Sequence, residues 1–248
     1  MAGLGYRREM ADWDMSLVLA DFFEVAPENW IRRDRSPLHR LRASGRPVHL
    51  HGVSLNLGGD SAIDHSFLRD VRALMDELGT IRYSDHLAAS GDAHQLYDLF
   101  PIPFTKQEVK RVGDRIRQVQ DILGQQIAIE NSTWYTNIGD IPEPDFLGAV
   151  AEWGDCGVLL DLNSLQEFVA RVDLTRVSYI HVAGHEFDAR FGLFIDTHSE
   201  TVEEQTMTMA RQLQRTHGLQ VLLEWDNDVP SMDTLNQELI CLTPFMTT

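Results

Sequence analysis

Histidine and carboxylate side chains end a run of apolar residues at six places in the chain, a pattern that suggests metal chemistry. The six residues are His51, His86, Glu130, Asp161, His181 and Glu224. They stand in the segments VHLHGVSL, IRYSDHLA, QIAIEN, GVLLDLN, VSYIHVAG and VLLEWDN. Neutral imidazole and carboxylate suit iron, zinc or manganese, and spacing does not choose among these metals.

A seventh segment, FGLFIDTHSE, places Asp196 and His198 two residues apart, which suits two ligands on one extended segment. Taken alone, a histidine at a strand end is more often hydrogen-bonded core, and a glutamate is more often exposed. Taken together, these residues would each need a separate partner, because an unpaired buried charge costs on the order of several kcal/mol. The joint pattern therefore favours a metal site.

The apolar segments that carry these residues read as strands, and helical patterns lie between many of them. Strands are predicted near 3–7, 21–27, 47–54, 80–88, 126–131, 157–163, 177–184 and 219–226. Helices are predicted at 66–78, 105–123, 144–153 and 201–216. The alternation predicts an α/β fold with one (β/α)8 barrel domain over residues 1–248. A doubly wound open sheet is the runner-up, but the glycine-rich GxGxxG turn it would need is missing.

A closed parallel barrel gathers the ends of its strands at one mouth, where the six residues would meet. Side chains alternate faces along a strand, so the residue two positions earlier shares the face of each candidate ligand. This rule pairs His49 with His51, Ser84 with His86, Ala128 with Glu130, Tyr179 with His181 and Leu222 with Glu224. The earlier member is expected to fill the barrel and the later one to reach its mouth.

Composition excludes several classes of protein. The chain has 21 Lys and Arg against 38 Asp and Glu, and a net charge of −17 repels the phosphates of nucleic acid. Cys156 and Cys241 stand far apart and outside any CxxC spacing, so no disulfide framework is indicated. No apolar stretch reaches the roughly 20 residues needed to span a bilayer, and the start lacks a secretory core. We expect a cytoplasmic protein without membrane contact.

Ten segments together resemble one family, the multinuclear non-haem iron-dependent oxidative enzymes (MNIO), which includes the methanobactin biosynthesis oxygenase. The segments are GLGYR, FEVAPENW, HGVSLNLGG, SDHLAAS, DLFPIPFT, IAIENSTWY, LLDLNS, IHVAGHE, IDTHSE and LLEWDND, and they run from Gly3 to about Pro230. The resemblance implies a xylose isomerase-like TIM barrel. It also implies oxidation of a cysteine in a ribosomally made precursor peptide, in natural product biosynthesis, with two or three Fe(II)/Fe(III) ions as cofactor and O2 as co-substrate.

The resemblance assigns roles to the candidate residues. His51, His86 and Glu130 would hold one iron, and Glu130 would bridge to a second iron held also by Asp161, His181 and Glu224. Asp196 and His198 would hold a third, although the family's final Asn in Asp-x-Asn-Asn is Ser164 here. Asn131, Asn163, His185 and Asp226 are expected to contact the substrate. His185 could instead be a metal ligand or support the ligands, and the supporting role is preferred; Asp226 is also a candidate for such a supporting role.

Partners and competing functions follow from the same residues. The substrate partner would be the precursor peptide, and a separate protein is expected to bind its leader segment, because the barrel consumes the length of the chain. A zinc hydrolase of the apurinic endonuclease type, a two-metal sugar isomerase and a non-catalytic peptide-binding barrel are the alternatives. The acidity argues against the first, and the position of Lys106 and Lys110 on one outer helix argues against the second.

Overall fold

Eight parallel strands form a closed barrel in the computed structural model, which describes residues 1–91, 99–132, 138–162, 166–190, 192–195 and 197–243. The barrel strands are β1 (Ala2–Gly5), β2 (Phe22–Val25), β3 (Val48–Gly52), β4 (Tyr83–His86), β5 (Ala128–Glu130), β6 (Gly157–Asp161), β7 (Val177–Val182) and β10 (Val221–Leu223). They follow one another around the barrel in chain order, and β10 closes it against β1. The predicted (β/α)8 fold is confirmed.

Helices cover the outside of the barrel. They are α1 (Ser36–Ala43), α2 (His65–Leu78), α3 (Lys106–Leu123), α4 (Glu143–Gly154), α5 (Gln166–Val169), α6 (Glu204–His217) and α7 (Met232–Leu242). Short 3₁₀ helices at Arg8–Met10, Met15–Leu17 and Pro27–Asn29 and an antiparallel hairpin of β8 (Glu186–Asp188) and β9 (Leu193–Ile195) complete the elements. The four helices predicted from periodicity are present with nearly the predicted bounds.

The longest helix, α3, shows why periodicity predicted these elements. Val109, Val112, Ile116 and Val119 recur at spacings of three and four, and all four are buried against the rest of the protein. The Thr105 side chain accepts a hydrogen bond from the backbone N–H of Glu108 at the start of the helix. Gly124 ends it with φ of 69°, in the left-handed region that glycine enters without strain.

One layer of side chains fills the barrel just below its mouth. It consists of Phe22, Ala128, Leu159, Tyr179 and Leu222, which form a buried cluster separate from the core under the helices. Gly3 makes room for this layer, because a Cβ at that position would lie 2.4 Å from the ring of Phe22. The layer sets the height at which the next inward-facing residues emerge.

No helix in the described part of the chain combines the length and the apolar run that a bilayer crossing requires.

Candidate metal centre

Strand register brings the predicted side chains to one level. His86 pairs with Glu130 across β4 and β5, and Asp161 pairs with His181 across β6 and β7. Each inward residue of the layer described above is followed two positions later by a polar one, as in Ala128 and Glu130. The alternation therefore places the candidate ligands directly above the filled layer, at the carboxyl ends of the strands.

Except for His181, these residues line a cavity of about 790 Å³ at the barrel mouth. Its wall includes His51, His86, Glu130, Asp161, His198 and Glu224, together with Glu24, Asn131 and Asp226. Glu130 and Asp161 are 4% and 5% exposed, so their carboxyl groups stand in an environment that would not tolerate them without compensation.

The first group within the cavity consists of His51, His86 and Glu130, whose ligand atoms lie within 4.8 Å of one another. The Nε2 atoms of both histidines lie 3.1 Å from the same oxygen, Oε2 of Glu130. Two imidazoles and one carboxylate thus converge on one point, and these are the residues predicted to share the first metal site.

A second group, which consists of Glu24, His181 and Glu224, lies on the other side of the same glutamate. Nδ1 of His181 lies 3.0 Å from Oε1 of Glu130 and 3.0 Å from Oε2 of Glu224. One oxygen of Glu130 therefore faces the first group and the other oxygen faces His181. Asp161 lines the same cavity but is not in any of the three close groups found among the described residues.

A third group consists of His198, Glu224 and Asp226. Nδ1 of His198 lies 2.9 Å from Oδ2 of Asp226 and 3.5 Å from Oε2 of Glu224. Arg7 shares these carboxylates, donating from Nη2 to Oε1 of Glu224 over 2.7 Å and from Nε to Oδ1 of Asp226 over 2.8 Å. A guanidinium already neutralises part of the charge at this corner.

Each imidazole of the first two groups contacts another residue through its outer nitrogen. Nδ1 of His51 contacts Oγ of Ser84 at 2.9 Å, and Nδ1 of His86 contacts the carbonyl oxygen of Gly52 at 3.2 Å. Nε2 of His181 contacts Oε1 of Glu24 at 3.1 Å. Such contacts on the outer nitrogen orient the inner nitrogen toward a common centre, as they do in metal sites.

Two buried atoms in the middle of the site lack a hydrogen-bond partner of acceptable geometry. They are Oε2 of Glu130 and Nδ1 of His181, although each lies about 3 Å from atoms of the opposite charge type. A buried polar atom without a partner is costly, and a cation would satisfy both atoms at once. The residues present therefore fit a bound metal ion.

The electrostatics of the cluster point the same way. Burial would lower the pKa of His51, but the Glu130 carboxylate outweighs it and raises that pKa to about 9. Burial would raise the pKa of Glu130, but His51, His86 and His181 hold it below its usual range. Burial also opposes a charge on His181, yet Glu24, Glu224 and Glu130 raise its pKa well above the ordinary value. The carboxylates are ionised and attract positive charge.

Glu24 is the buried residue that the sequence reasoning missed. It is 1% exposed, and its carboxylate contacts both His181 and the hydroxyl of Tyr179. The signal was available, because Phe22 and Glu24 share a face of β2 by the same alternation that paired the other strands. His49 lies where it was predicted, packed inside the barrel with its ring 4.6 Å from that of Phe22.

The predicted substrate contacts remain predictions. Asn131 lines the cavity, but its amide donates to the carbonyl of Asp161 and accepts from the N–H of that residue. Asp226 lines the cavity near its mouth, whereas His185 is half-buried and is not among the described residues of the wall. Asn163 and Asp196 lie outside the described residues.

The chain matches a known protein family along nearly its whole length. A model of the family described as "RiPP precursor modification enzyme MbnB/TglH/ChrH" matches residues 1–246, where RiPP denotes a ribosomally synthesised and post-translationally modified peptide. A UPF0276 protein of Nitrosospira multiformis is 37% identical over 256 residues, which cover 96% of this chain and 90% of the relative.

Solved structures with a similar fold include endonuclease IV from Thermus thermophilus, with a TM-score of 0.62 and 17% identity over 96% of each chain. A xylose isomerase domain protein from Planctomyces limnophilus has a TM-score of 0.57 and 11% identity over 97% of this chain and 92% of its own. These likenesses identify a xylose isomerase-like barrel and say nothing about the reaction. The match along nearly the whole sequence does more, and by it the chain belongs to the MbnB/TglH/ChrH family of RiPP precursor modification enzymes.

Proposed function

We propose that this chain is an iron- and O2-dependent enzyme that oxidises a cysteine residue of a ribosomally synthesised precursor peptide. The observation that carries the proposal is the position of Glu130, which offers one oxygen to His51 and His86 and the other to His181. A carboxylate shared between two imidazole groups suits a pair of metal ions that act together. Membership of the peptide-modifying family supplies the substrate class.

The residues would divide the metal ions among them as follows. His51, His86 and Glu130 would hold one ion, and Glu130, His181 and Glu224 would hold the second with Asp161. A third ion would need His198 with Asp226 or Asp196. When bound, iron supplies electron transfer to and from O2 and the positive charge that keeps a substrate thiol deprotonated.

The protein's own contribution is to hold the ions, orient the peptide and exclude water. The cavity of about 790 Å³ is large enough for a peptide segment. Apolar side chains of Val53, Leu99 and Pro101 line part of it beside the polar floor. A cysteine side chain lowered past these residues would bring its sulfur to the metal-binding atoms, while the apolar wall displaces solvent from the thiolate.

The competing functions have weaker support. A sugar isomerase that relies on a lysine near its metals does not fit, because Lys106 and Lys110 are the only lysines and both lie on α3. The ammonium of Lys110 lies 5.4 Å from the ring centre of Trp153 on α4, outside the barrel. A zinc hydrolase acting on nucleic acid is disfavoured by the net charge of −17.

The central test loads the metal-free protein anaerobically with Fe(II), counts the bound metal by elemental analysis and records Mössbauer spectra. We expect two or three ions per chain, and we expect oxidation of a cysteine-containing precursor peptide once O2 is admitted, measured as a mass change. Glu130→Gln should lose both ions of the pair, because a bridging carboxylate belongs to both. Glu152→Gln, at an exposed position of α4, is the matched control and should bind metal like the parent.

Each alternative has its own outcome in that experiment. Full metal content in Glu130→Gln would contradict the bridging role. Zinc with hydrolysis of a phosphodiester would replace the oxidase by a hydrolase, and a chain that binds no metal would leave only the peptide-binding scaffold.

A separate protein that binds the leader segment remains part of the proposal. We expect the isolated chain to modify its peptide slowly and the partner to raise kcat/KM, since binding energy from the leader would then position the cysteine. Turnover at the full rate without any companion would contradict this expectation.

A further inference from the structure

A continuous chain of buried hydrogen bonds runs beneath the two proposed metal positions. Nδ1 of His51 contacts Oγ of Ser84 at 2.9 Å, and that oxygen contacts the hydroxyl of Tyr179 at 2.8 Å. The Tyr179 hydroxyl donates to Oε2 of Glu24 over 2.5 Å, and Glu24 contacts Nε2 of His181 at 3.1 Å. Ser84, Glu24, Tyr179 and His181 are each 1% exposed.

Counting the available protons shows which atom is the donor in each of these hydrogen bonds. Tyr179 has one hydroxyl proton and donates it to the ionised carboxylate of Glu24. The short contact between Tyr179 and Ser84 then requires Ser84 to be the donor. Ser84 has no second proton for His51, and its other acceptor, the carbonyl oxygen of Leu50, is 3.5 Å away. Nδ1 of His51 must therefore carry a proton and donate it to Ser84.

The same accounting fixes the other imidazole. Glu24 has no proton to give, so Nε2 of His181 carries one and donates it to the carboxylate. In the neutral form of each ring, the lone pair then stands on Nε2 of His51 and on Nδ1 of His181. These are the two atoms that face Glu130 at 3.1 Å and 3.0 Å.

We propose that Tyr179 is a positioning residue that acts through Ser84 to keep the ring proton of His51 on Nδ1, away from the proposed metal positions, while Glu24 holds the ring proton of His181 on Nε2. Both inner nitrogens are thereby available to metal ions, one in each group. The inference rests on the metal centre proposed above, but not on the identity of the peptide or of the oxidised product. Without the Tyr179 hydroxyl, Ser84 is free to donate to Nδ1 of His51, which moves the ring proton to the metal-facing nitrogen.

The test uses Co(II) as the probe metal, because its visible absorption reports its ligands and needs no turnover. Metal-free full-length protein is titrated anaerobically, and dissociation constants are compared for the parent, Tyr179→Phe and Ser84→Ala. We expect each variant to bind Co(II) about 10- to 100-fold more weakly than the parent, with an altered absorption spectrum, as for other residues that orient metal ligands.

Tyr83→Phe provides a matched control within the same barrel wall. Tyr83 is 2% exposed and donates to a buried carboxylate, Asp85, over 2.8 Å, as Tyr179 does to Glu24. Its hydroxyl contacts no imidazole among the described residues, so its loss should leave Co(II) affinity within about twofold of the parent. Melting of the metal-free proteins checks that all variants fold.

A double variant separates a connected chain from two unrelated packing effects. Tyr179→Phe and Ser84→Ala should not multiply, because either change alone already breaks the path to His51. Multiplied effects would overturn the inference, as would a Tyr179→Phe variant that binds Co(II) like Tyr83→Phe. If Tyr179→Phe does not fold, Ser84→Ala decides: unchanged affinity in that variant overturns the proposal.

The outcomes also distinguish this inference from the proposed function. A parent protein that binds no Co(II) would overturn this inference and count against the metal centre. The predicted order of Co(II) affinities without any peptide oxidation would contradict the proposed reaction alone. Peptide oxidation with unchanged affinity in Tyr179→Phe would contradict only the role of Tyr179.

Discussion

At the scale of single residues, protons and the proposed metal ions would compete for the same imidazole nitrogens. Burial and carboxylates act on the pKa values of the histidines in opposite directions, and burial prevails at His86, whose pKa is lowered although its ring also faces Glu130. His51 faces Glu130, and its pKa rises to about 9 against the effect of burial. His49, two residues earlier, is buried below the candidate metal ligands, and burial lowers its pKa to about 4. One strand thus carries a histidine charged at neutral pH and another that is neutral.

Metal binding should therefore release protons at neutral pH. His51 binds a proton below a pH of about 9 in the metal-free protein, and a metal ion at Nε2 must displace it. Affinity for Co(II) should rise as the pH increases from 7 to 9, because His51 loses its proton over this range. Calorimetry at pH 7 in buffers of different ionisation enthalpy should show release of about one proton or more per chain.

The control for proton release is His39→Gln, which changes a surface histidine paired with Glu77. It should release the same number of protons as the parent. A binding enthalpy that does not depend on the buffer would contradict the charged state of His51.

At the scale of elements, hydrophobic periodicity predicted the barrel strands and the longer helices but not the shorter elements. Strand alternation was informative because each inward-facing residue belongs either to the filled layer or to the candidate metal ligands above it. Helix α1 has only eight residues and buries Leu38 and Leu41, too short a pattern to distinguish from a loop. Helix α7 could have been found, since Leu235, Glu238, Leu239 and Leu242 lie buried at helical spacing behind Ser231. The hairpin of β8 and β9 has strands of three residues and left no periodic signal.

The site was predictable to a similar degree and for a related reason. Residues at strand ends could be named, because the barrel brings all such ends to one mouth. The hydrogen-bond partners of those residues could not be predicted, because they depend on contacts between distant strands. The contact of Tyr179 with Glu24, 155 positions apart, and that of Arg7 with Glu224, 217 positions apart, are examples. Neither follows from spacing along the chain.

The cap of α2 gives a prediction at this scale. The Asp64 carboxylate accepts from the N–H groups of Ser66 and Phe67, and these bonds, with the hydroxyl of Ser66, lower its pKa below 3.8. Asp64→Ala should reduce the free energy of unfolding by about 1 kcal/mol at pH 7. Because the folded pKa is depressed, the contribution is present above pH 3.8 and disappears as the pH falls through the folded value.

Urea denaturation at pH 7 and thermal melting down to pH 3 measure this difference. Asp76→Ala is the control on the same helix, since Asp76 makes only an exposed pair with Arg72 and should change stability by less than about 0.5 kcal/mol. Equal losses in both variants, or a loss that does not depend on pH, would contradict the capping role.

At the scale of the whole molecule, the two cysteines should behave as two distinct populations. Cys156 is 2% exposed, and burial raises the pKa of its thiol to about 12, whereas Cys241 is exposed. Only the thiolate reacts with Ellman's reagent, so the folded chain should yield one reactive thiol and the urea-unfolded chain two.

The variant Cys241→Ser should yield no fast-reacting thiol when folded. Rapid labelling of Cys156 in that variant would contradict its burial. The same variant would be the useful background for following a substrate cysteine, since the enzyme would then contribute no thiol signal of its own.

The ring of Phe22, which lies over Gly3, limits how a substrate can enter the barrel. Together with Tyr179 and the leucines of the same layer, this ring fills the barrel axis immediately below the candidate metal ligands. The cavity is therefore closed at its base, so a substrate that enters at the barrel mouth must leave through the same opening. A long peptide cannot pass through the barrel from one end to the other. It has to enter as a bend or as a chain end, and the modified segment has to be withdrawn before the next one can enter.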